Sequence, residues 1–296
     1  MHYTNLMENE LLLKNFDSLC EKISRESWPV HGIQLYSDGI LLKSFGKINF
    51  RYPVYSITKS ILSMAAGIAE KEGSINLQDC ILKYIPESYL ERLEHGQTEL
   101  FKSISIERLL TMSVKGFAFR PEGENWLINS LNTKIDPDRK EFHYTNICAY
   151  LVGAALSFAV NRPANEYIDE KIFGPLEISD VQYGFSPEGI INGGSGIELS
   201  VEELAKVGLM LMNKGVYKDR QIVPEEYLKR AVEVQIKNKE GGYGYFFWKY
   251  LDGFSLNGKW GQKCYCMPKD KTLICFLSNF EGNSDVLKNE IRQLFC

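Results

Sequence analysis

Segment 51–73, RYPVYSITKSILSMAAGIAEKEG, leaves fewer choices of fold than any other part of the sequence. Its apolar positions Ile57, Ile61, Leu62, Met64, Ala65, Ile68 and Ala69 cover most of the circumference of a helix. A helix apolar nearly all round is central, with other elements packed on every side. Pro53 keeps the approach extended and Gly73 is the natural stop. Ser56 then stands at the helix start, with Lys59 one turn further along the same face.

That placement has chemical content. A serine hydroxyl is a weak nucleophile until a base takes its proton, and a lysine three residues along a helix brings an amine within reach. The free N–H groups of the first turn favour negative charge at Ser56. Lys59 serves as a base only if burial or neighbouring cations lower its pKa well below the usual value of about 10.4. The spacing by itself is unspecific, since Ser-x-x-Lys arises about once by chance in a chain of this length and average composition. A second copy, Ser44 and Lys47, falls in GIQLYSDGILLKSFGK, which reads as two strands about a Ser37-Asp38-Gly39 turn. A purely structural reading of Ser56 as N-cap and Lys59 as a snorkelling lysine fits the motif equally well.

Composition narrows the classes of function. A net charge of −4 and a pI near 5.7 argue against a nucleic-acid partner. No apolar run reaches the ~18 residues of a membrane span, and MHYTNLMENELLLKNF lacks the basic start and unbroken apolar core of a secretory signal. Seven cysteines (Cys20, Cys80, Cys148, Cys264, Cys266, Cys275, Cys296) at irregular spacings read as reduced thiols of a cytoplasmic protein. Cys264 and Cys266 have no matching second pair, and the four histidines (His2, His31, His95, His143) are scattered, so neither a metal nor a cofactor is expected.

Along the chain, 6–23 is an amphipathic helix, followed by the hairpin of 32–47 and then the central helix. At the other end, 242–279 shows three strands joined by Asp252-Gly253 and Pro268-Lys269-Asp270 turns, and 284–295 is a helix with Val286, Leu287, Ile291 and Leu294 on one stripe. Between them lie helical segments at 106–112, 145–160 and 165–173 and a polar, turn-rich stretch, 116–143. Ser200 opens a further helix through a capping box with Glu203. The expected architecture is α/β (α+β): an antiparallel sheet of about five strands with flanking helices, built from 1–77 and 190–296, and a mainly helical insertion, 78–189.

Two further stretches carry polar groups that a cleft could use. Tyr144 and Asn146 begin the apolar helix ICAYLVGAALSFAV, where a packed ring and an N-cap are the structural alternatives. Gly258-Lys259-Trp260-Gly261-Gln262 precedes the strand KCYCMP, where glycine marks a close approach of backbone or ligand.

Taken together, Ser56-x-x-Lys59, Tyr144-x-Asn146 and Lys259-Trp260-Gly261 resemble the motif set of the serine β-lactamase and penicillin-binding protein superfamily. The tyrosine form of the second motif is similar to the class C β-lactamase branch, with its esterase, D-aminopeptidase and nylon-oligomer hydrolase relatives. Segments such as EGSINLQDCILKYIPE, GGSGIELSVEELAKVGLMLMNKG and YGYFFW extend the likeness over about 32–279. The resemblance implies a β-lactamase-like fold with the site between the two parts. It implies Ser56 as nucleophile, Lys59 and Tyr144 sharing the acid and base roles, and Asn146 orienting Lys59 and substrate. Lys259 would supply positive field, and the N–H groups of Ser56 and Gln262 an oxyanion hole. Trp260 stands where Lys-Thr-Gly enzymes carry a small hydroxyl residue that helps hold the β-lactam carboxylate, so the resemblance implies a small, uncharged ester or amide rather than efficient β-lactam turnover. Trp126, Tyr243, Trp260 and Gly261 are expected to line the cleft. The other readings are a β-lactamase or D-alanyl peptidase, which brisk nitrocefin hydrolysis would reveal, and a ligand-binding or sensor module without catalysis. The oligomeric state is not legible from sequence.

Overall fold

The computed structural model describes residues 2–282 and 285–295. Cys296 and the Ser284 start of the last helix lie outside the described residues, as do the side chains of His2 and Leu6. Helix α1 (His2–Arg25) begins earlier than its apolar pattern suggests and leads into the hairpin β1 (Val30–Ser37) and β2 (Ile40–Gly46). Ser44 is on β2, opposite Gln34, so the second Ser-x-x-Lys copy is part of a sheet. Tyr52–Pro53 pairs with Glu198–Leu199 in a two-residue ladder and delivers the chain to α2 (Ile57–Lys71). At the end of α2, Gly73 adopts φ 77°, its N–H bonds Glu70 O, and Ser74 N–H bonds Ala69 O.

The middle of the chain is helical, as its pattern implies. Its longest element is α3 (Asn146–Ala159), buried from Ile147 to Leu156. The helix expected at 165–173 is one α-turn, Ala164–Ile168, that widens into a π-turn at Asp169–Phe173. The polar stretch 116–143 carries a short helix of its own, Trp126–Leu131. The capping box at Ser200 is present on both sides: Glu203 N–H bonds Ser200 Oγ at 3.1 Å and Ser200 N–H bonds a Glu203 carboxylate oxygen at 2.8 Å. It opens α4 (Val201–Met212), and α5 (Glu225–Val232) follows.

The remaining strands are β3 (Trp248–Tyr250), β4 (Gly253–Gly258), β5 (Gln262–Met267) and β6 (Thr272–Ser278), and α6 (Asp285–Phe295) closes the described chain. All six strands form one antiparallel sheet in the order β2-β1-β6-β5-β4-β3. The sheet has one strand more than the sequence pattern suggests because Lys259–Gly261 is a tight turn separating β4 from β5. Trp260 makes that turn at φ 60°, a conformation a bulky residue adopts rarely, and so it carries no sequence signal.

Alternation along the strands divides the apolar residues into two layers. On one face Ile33, Leu35, Tyr265, Met267, Ile274 and Phe276 pack with Phe16, Leu19 and Ile23 of α1 and Leu287 and Ile291 of α6. On the other face Leu256, Cys264, Leu273, Cys275 and Leu277 join a larger core with α2, α3 and α4. Strand β6 is buried at all seven positions because both faces are covered. Val286 departs from its expected stripe and is exposed. Among the described residues no single helix is long and apolar enough to cross a membrane.

Candidate active site

Two requirements place Ser56 at the mouth of a cavity. The chain must turn from the Tyr52–Pro53 ladder into α2, and it does so with Tyr55 in the left-handed region at φ 47°. Ser56 is the N-cap residue of α2 by position, yet its side chain makes no capping hydrogen bond. Its hydroxyl instead meets Lys59 Nζ at 2.9 Å.

Lys59 is 1% exposed, so its amine is held inside the protein on the buried face of α2. Nζ has two further partners, Asn146 Oδ1 and the Gly194 carbonyl oxygen, each at 2.7 Å. Both are acceptors only. A neutral amine with N–H bonds to these two directs its lone pair at the third partner, Ser56 Oγ, which can donate. Burial lowers the Lys59 pKa from its ordinary value to about 7, so the neutral form is accessible near neutrality. Asn146 is free to do this because Thr145 caps α3, its hydroxyl accepting from Ile147 N–H at 3.1 Å.

Tyr144 completes the cluster. Its ring centroid is 5.1 Å from Lys59 Nζ, and the ring is backed by Phe142, Tyr243 and Trp248. Burial pushes its pKa up to about 12, against a hydrogen bond with Ser56 that lowers it. The phenol therefore stays protonated through the neutral range, a donor rather than a base.

The cavity encloses about 1020 Å³ in front of Ser56, and its wall includes Tyr144, Asn146, Gly194, Phe119 and Trp248. It also carries five lysines (Lys140, Lys237, Lys239, Lys259 and Lys263) and two glutamates (Glu141 and Glu240). The third sequence element reaches the wall through Gly258 and Lys259, with Asn257 beside them. Gly258 packs directly on the Val54 carbonyl, a contact only glycine permits.

Several residues expected at the cleft lie elsewhere. Trp260 is outside the wall, with its ring edge-to-face on Tyr55 at 5.1 Å, and Lys259 Nζ lies 4.2 Å from the centroid of that ring rather than over Tyr144. Gly261 is buried, and the Gln262 side-chain amide is bonded to Ser278 at both ends, donating to its carbonyl and accepting from its N–H, which anchors the backbone whose N–H the sequence reading assigns to the oxyanion hole. Tyr243 is 1% exposed behind Tyr144, and Trp126 packs on Tyr150 away from the cavity. The sequence reading missed Gly194, Asn257 and Lys263. Only Gly194, in the run Asn192-Gly193-Gly194-Ser195-Gly196, carries a sequence cue, a glycine-rich close approach. Among the described residues no group of three His, Cys, Asp or Glu side chains is arranged to hold a metal ion.

The role of Gly194 is open to direct test. A Cβ there would lie 2.9 Å from Asn146 Cγ and 3.1 Å from Oδ1, displacing the amide that fixes Lys59. Gly194→Ala is expected to lower kcat/KM by about 10²-fold with little change in thermal midpoint, the size of effect that misplacing a reacting group produces. Unchanged kinetics would remove Gly194 from the site.

No curated protein matches this sequence. Among solved structures, a candidate beta-lactamase from Bacteroides dorei has 17% identity and a TM-score of 0.77 over 94% of this chain and 97% of its own. A candidate 6-aminohexanoate-dimer hydrolase from Bacillus anthracis has 16% identity and a TM-score of 0.75 over 93% of this chain and 80% of its own. EstCE1, described as a hydrolase with promiscuous acyltransferase activity, has 13% identity and a TM-score of 0.73 over 97% of this chain and 99% of its own. At these identities the likeness establishes the fold. Residues 47–295, most of the chain, match the family model for beta-lactamase, and the chain therefore belongs to the beta-lactamase family of hydrolases.

Proposed function

We propose that the protein is a serine hydrolase that cleaves a small ester or amide through an acyl-enzyme. The observation that carries this reading is the triply bonded, buried Lys59 amine with its one donor-capable partner, Ser56. Neutral Lys59 takes the Ser56 Oγ proton as Oγ bonds to the substrate carbonyl carbon. The oxyanion that forms is met by the backbone N–H groups of Ser56, at the start of α2, and of Gln262. Such donors are worth about 10² to 10³ in rate each. The bond to the leaving group breaks as Tyr144 passes it a proton and regains one from Lys59. Water then repeats the sequence on the acyl-serine and releases the acid. Because burial raises the Tyr144 pKa to about 12 and lowers that of Lys59 to about 7, this scheme takes Lys59 as the base.

The likeness to a candidate 6-aminohexanoate-dimer hydrolase and to EstCE1 is compatible with an amide or ester substrate. A reducing, cytoplasmic setting is part of the proposal, supported by the buried free thiols Cys264, Cys266 and Cys275.

The test is intact-mass spectrometry after treatment with a small fluorophosphonate. One adduct on the wild type and none on Ser56→Ala is the expected result; folded wild type without an adduct would overturn the proposal in favour of a binding module. The pH dependence of labelling supplies a second check. Lys59 acts only when neutral, so the labelling rate is expected to rise with pH through a midpoint near 7 and to fall about tenfold per unit below it. A rate that stays flat down to pH 5 would exclude Lys59 as the base.

A further inference from the structure

The charges lining the cavity are unbalanced in a protein that is acidic as a whole. Both glutamates already have cations outside the wall, Glu141 with Arg139 at 2.7 Å and Glu240 with Lys288 at 3.9 Å. None of the five lysines is paired with a carboxylate among the described residues. Field lines converge in such a concave, low-dielectric space, so this arrangement attracts an anion.

Unsatisfied groups single out one end of the cavity. Lys263 on β5 stands directly opposite Asn257 on β4, and both are in the wall with Asn238 of the 236–240 loop. The Lys263 amine makes no hydrogen bond or ion pair among the described residues, and burial, with Lys288 adding to it and the Glu240 and Asp285 carboxylates opposing it, depresses its pKa to about 8. Asn238 accepts from Glu240 N–H through Oδ1 at 2.9 Å, which fixes the other end as NH₂, and that Nδ2 is buried without a partner. The Asn257 amide also buries a polar end, Oδ1, without a partner. A buried polar group left unpaired costs about 1 to 3 kcal/mol, and two of them, Asn238 Nδ2 and Asn257 Oδ1, beside the Lys263 amine indicate a ligand that satisfies them.

We propose that this end of the cavity holds a carboxylate carried by the substrate at a distance from the bond that is cleaved, accepting from Lys263 Nζ and Asn238 Nδ2, with Asn257 taking a neighbouring N–H or O–H. The inference rests on the serine-hydrolase reading for the reaction but not for the binding. It replaces the uncharged substrate inferred from Trp260, since Trp260 is not part of the wall.

The experiment compares matched esters on the wild type: 4-nitrophenyl hemiadipate against 4-nitrophenyl hexanoate for a carboxylate on the acyl side, and 4-acetoxybenzoate against phenyl acetate for one on the leaving side. In one pair the acidic ester is expected to have a kcat/KM about tenfold higher or more, the scale of one hydrogen bond to a charged group. Lys263→Met should cut the preference for the acidic ester over its neutral partner to about twofold or less. Should that variant fail to fold, the wild-type preference must still shrink as salt is raised, because screening weakens a charge contact at a partly open site. Turnover of the neutral esters without preference in either pair would overturn the carboxylate site while leaving the hydrolase standing. If no ester is turned over and Ser56 is not labelled, the hydrolase reading fails, and calorimetric titration with adipate decides the site. Binding to wild type that weakens about tenfold in Lys263→Met supports it, and no binding to wild type overturns it.

Discussion

Ser56→Ala is expected to lower kcat/KM by about 10⁴ to 10⁶-fold on any substrate the protein hydrolyses, while leaving the thermal midpoint nearly unchanged. The size follows from removing the atom that forms the covalent bond; what remains is binding and oxyanion stabilisation, which account for the smaller part of such rates. The small effect on stability follows from geometry. A capping serine replaced by alanine costs about 1 kcal/mol, but the Ser56 hydroxyl makes no capping bond and is turned toward Lys59. Steady-state kinetics with a thermal melt on the same preparation separates the two readouts. A variant that loses little rate, or one that melts far below the wild type, would contradict the assignment of this hydroxyl to chemistry.

The second large effect is at Lys59. Lys59→Met keeps the length of the side chain and removes its proton-accepting nitrogen, and the labelling rate is expected to fall about 10³ to 10⁴-fold, toward the upper part of the range for general-base catalysis. Lys59→Arg separates two roles. If Lys59 acted only as a positive charge beside Ser56, arginine would restore much of the rate. Since the proposed role needs a neutral amine, and a guanidinium stays protonated, arginine is expected to do no better than methionine. The rise of rate through pH 7 should vanish in both variants. Rescue by arginine would sink the general-base role and leave Tyr144 as the base.

Much of this site was legible in the sequence because its parts are local. Ser56 and Lys59 are one helical turn apart, and a helix as apolar as α2 has nowhere to go but the interior, so the depressed pKa of Lys59 follows from the same residues that fix the helix. Tyr144 and Asn146 flank a helix start and were identifiable in the same way. What the sequence did not disclose depends on turns and on register. The Lys259–Gly261 turn is made by a tryptophan in a conformation that tryptophan seldom adopts, and missing it moved the Trp260 ring into a cleft it does not line. The Gly194 carbonyl is a backbone atom and leaves no side-chain signature. Lys263 reaches the cavity only because β5 is paired with β4 so that Lys263 faces Asn257, a fact of strand register.

The pairing of β1 with β6 has a consequence for how the protein is made. Register partners such as Ser37 and Thr272 are separated by most of the chain, and β1 has only β2 on its other side. At ribosomal speeds of about 5 to 20 residues per second, the first hairpin waits on the order of tens of seconds before its central neighbour exists. Throughout that interval Ile33 and Leu35 have neither β6 beside them nor α6 above them. The long α1, emerging ahead of β1 and carrying Phe16, Leu19 and Ile23, is already synthesised and shields this strand while it waits.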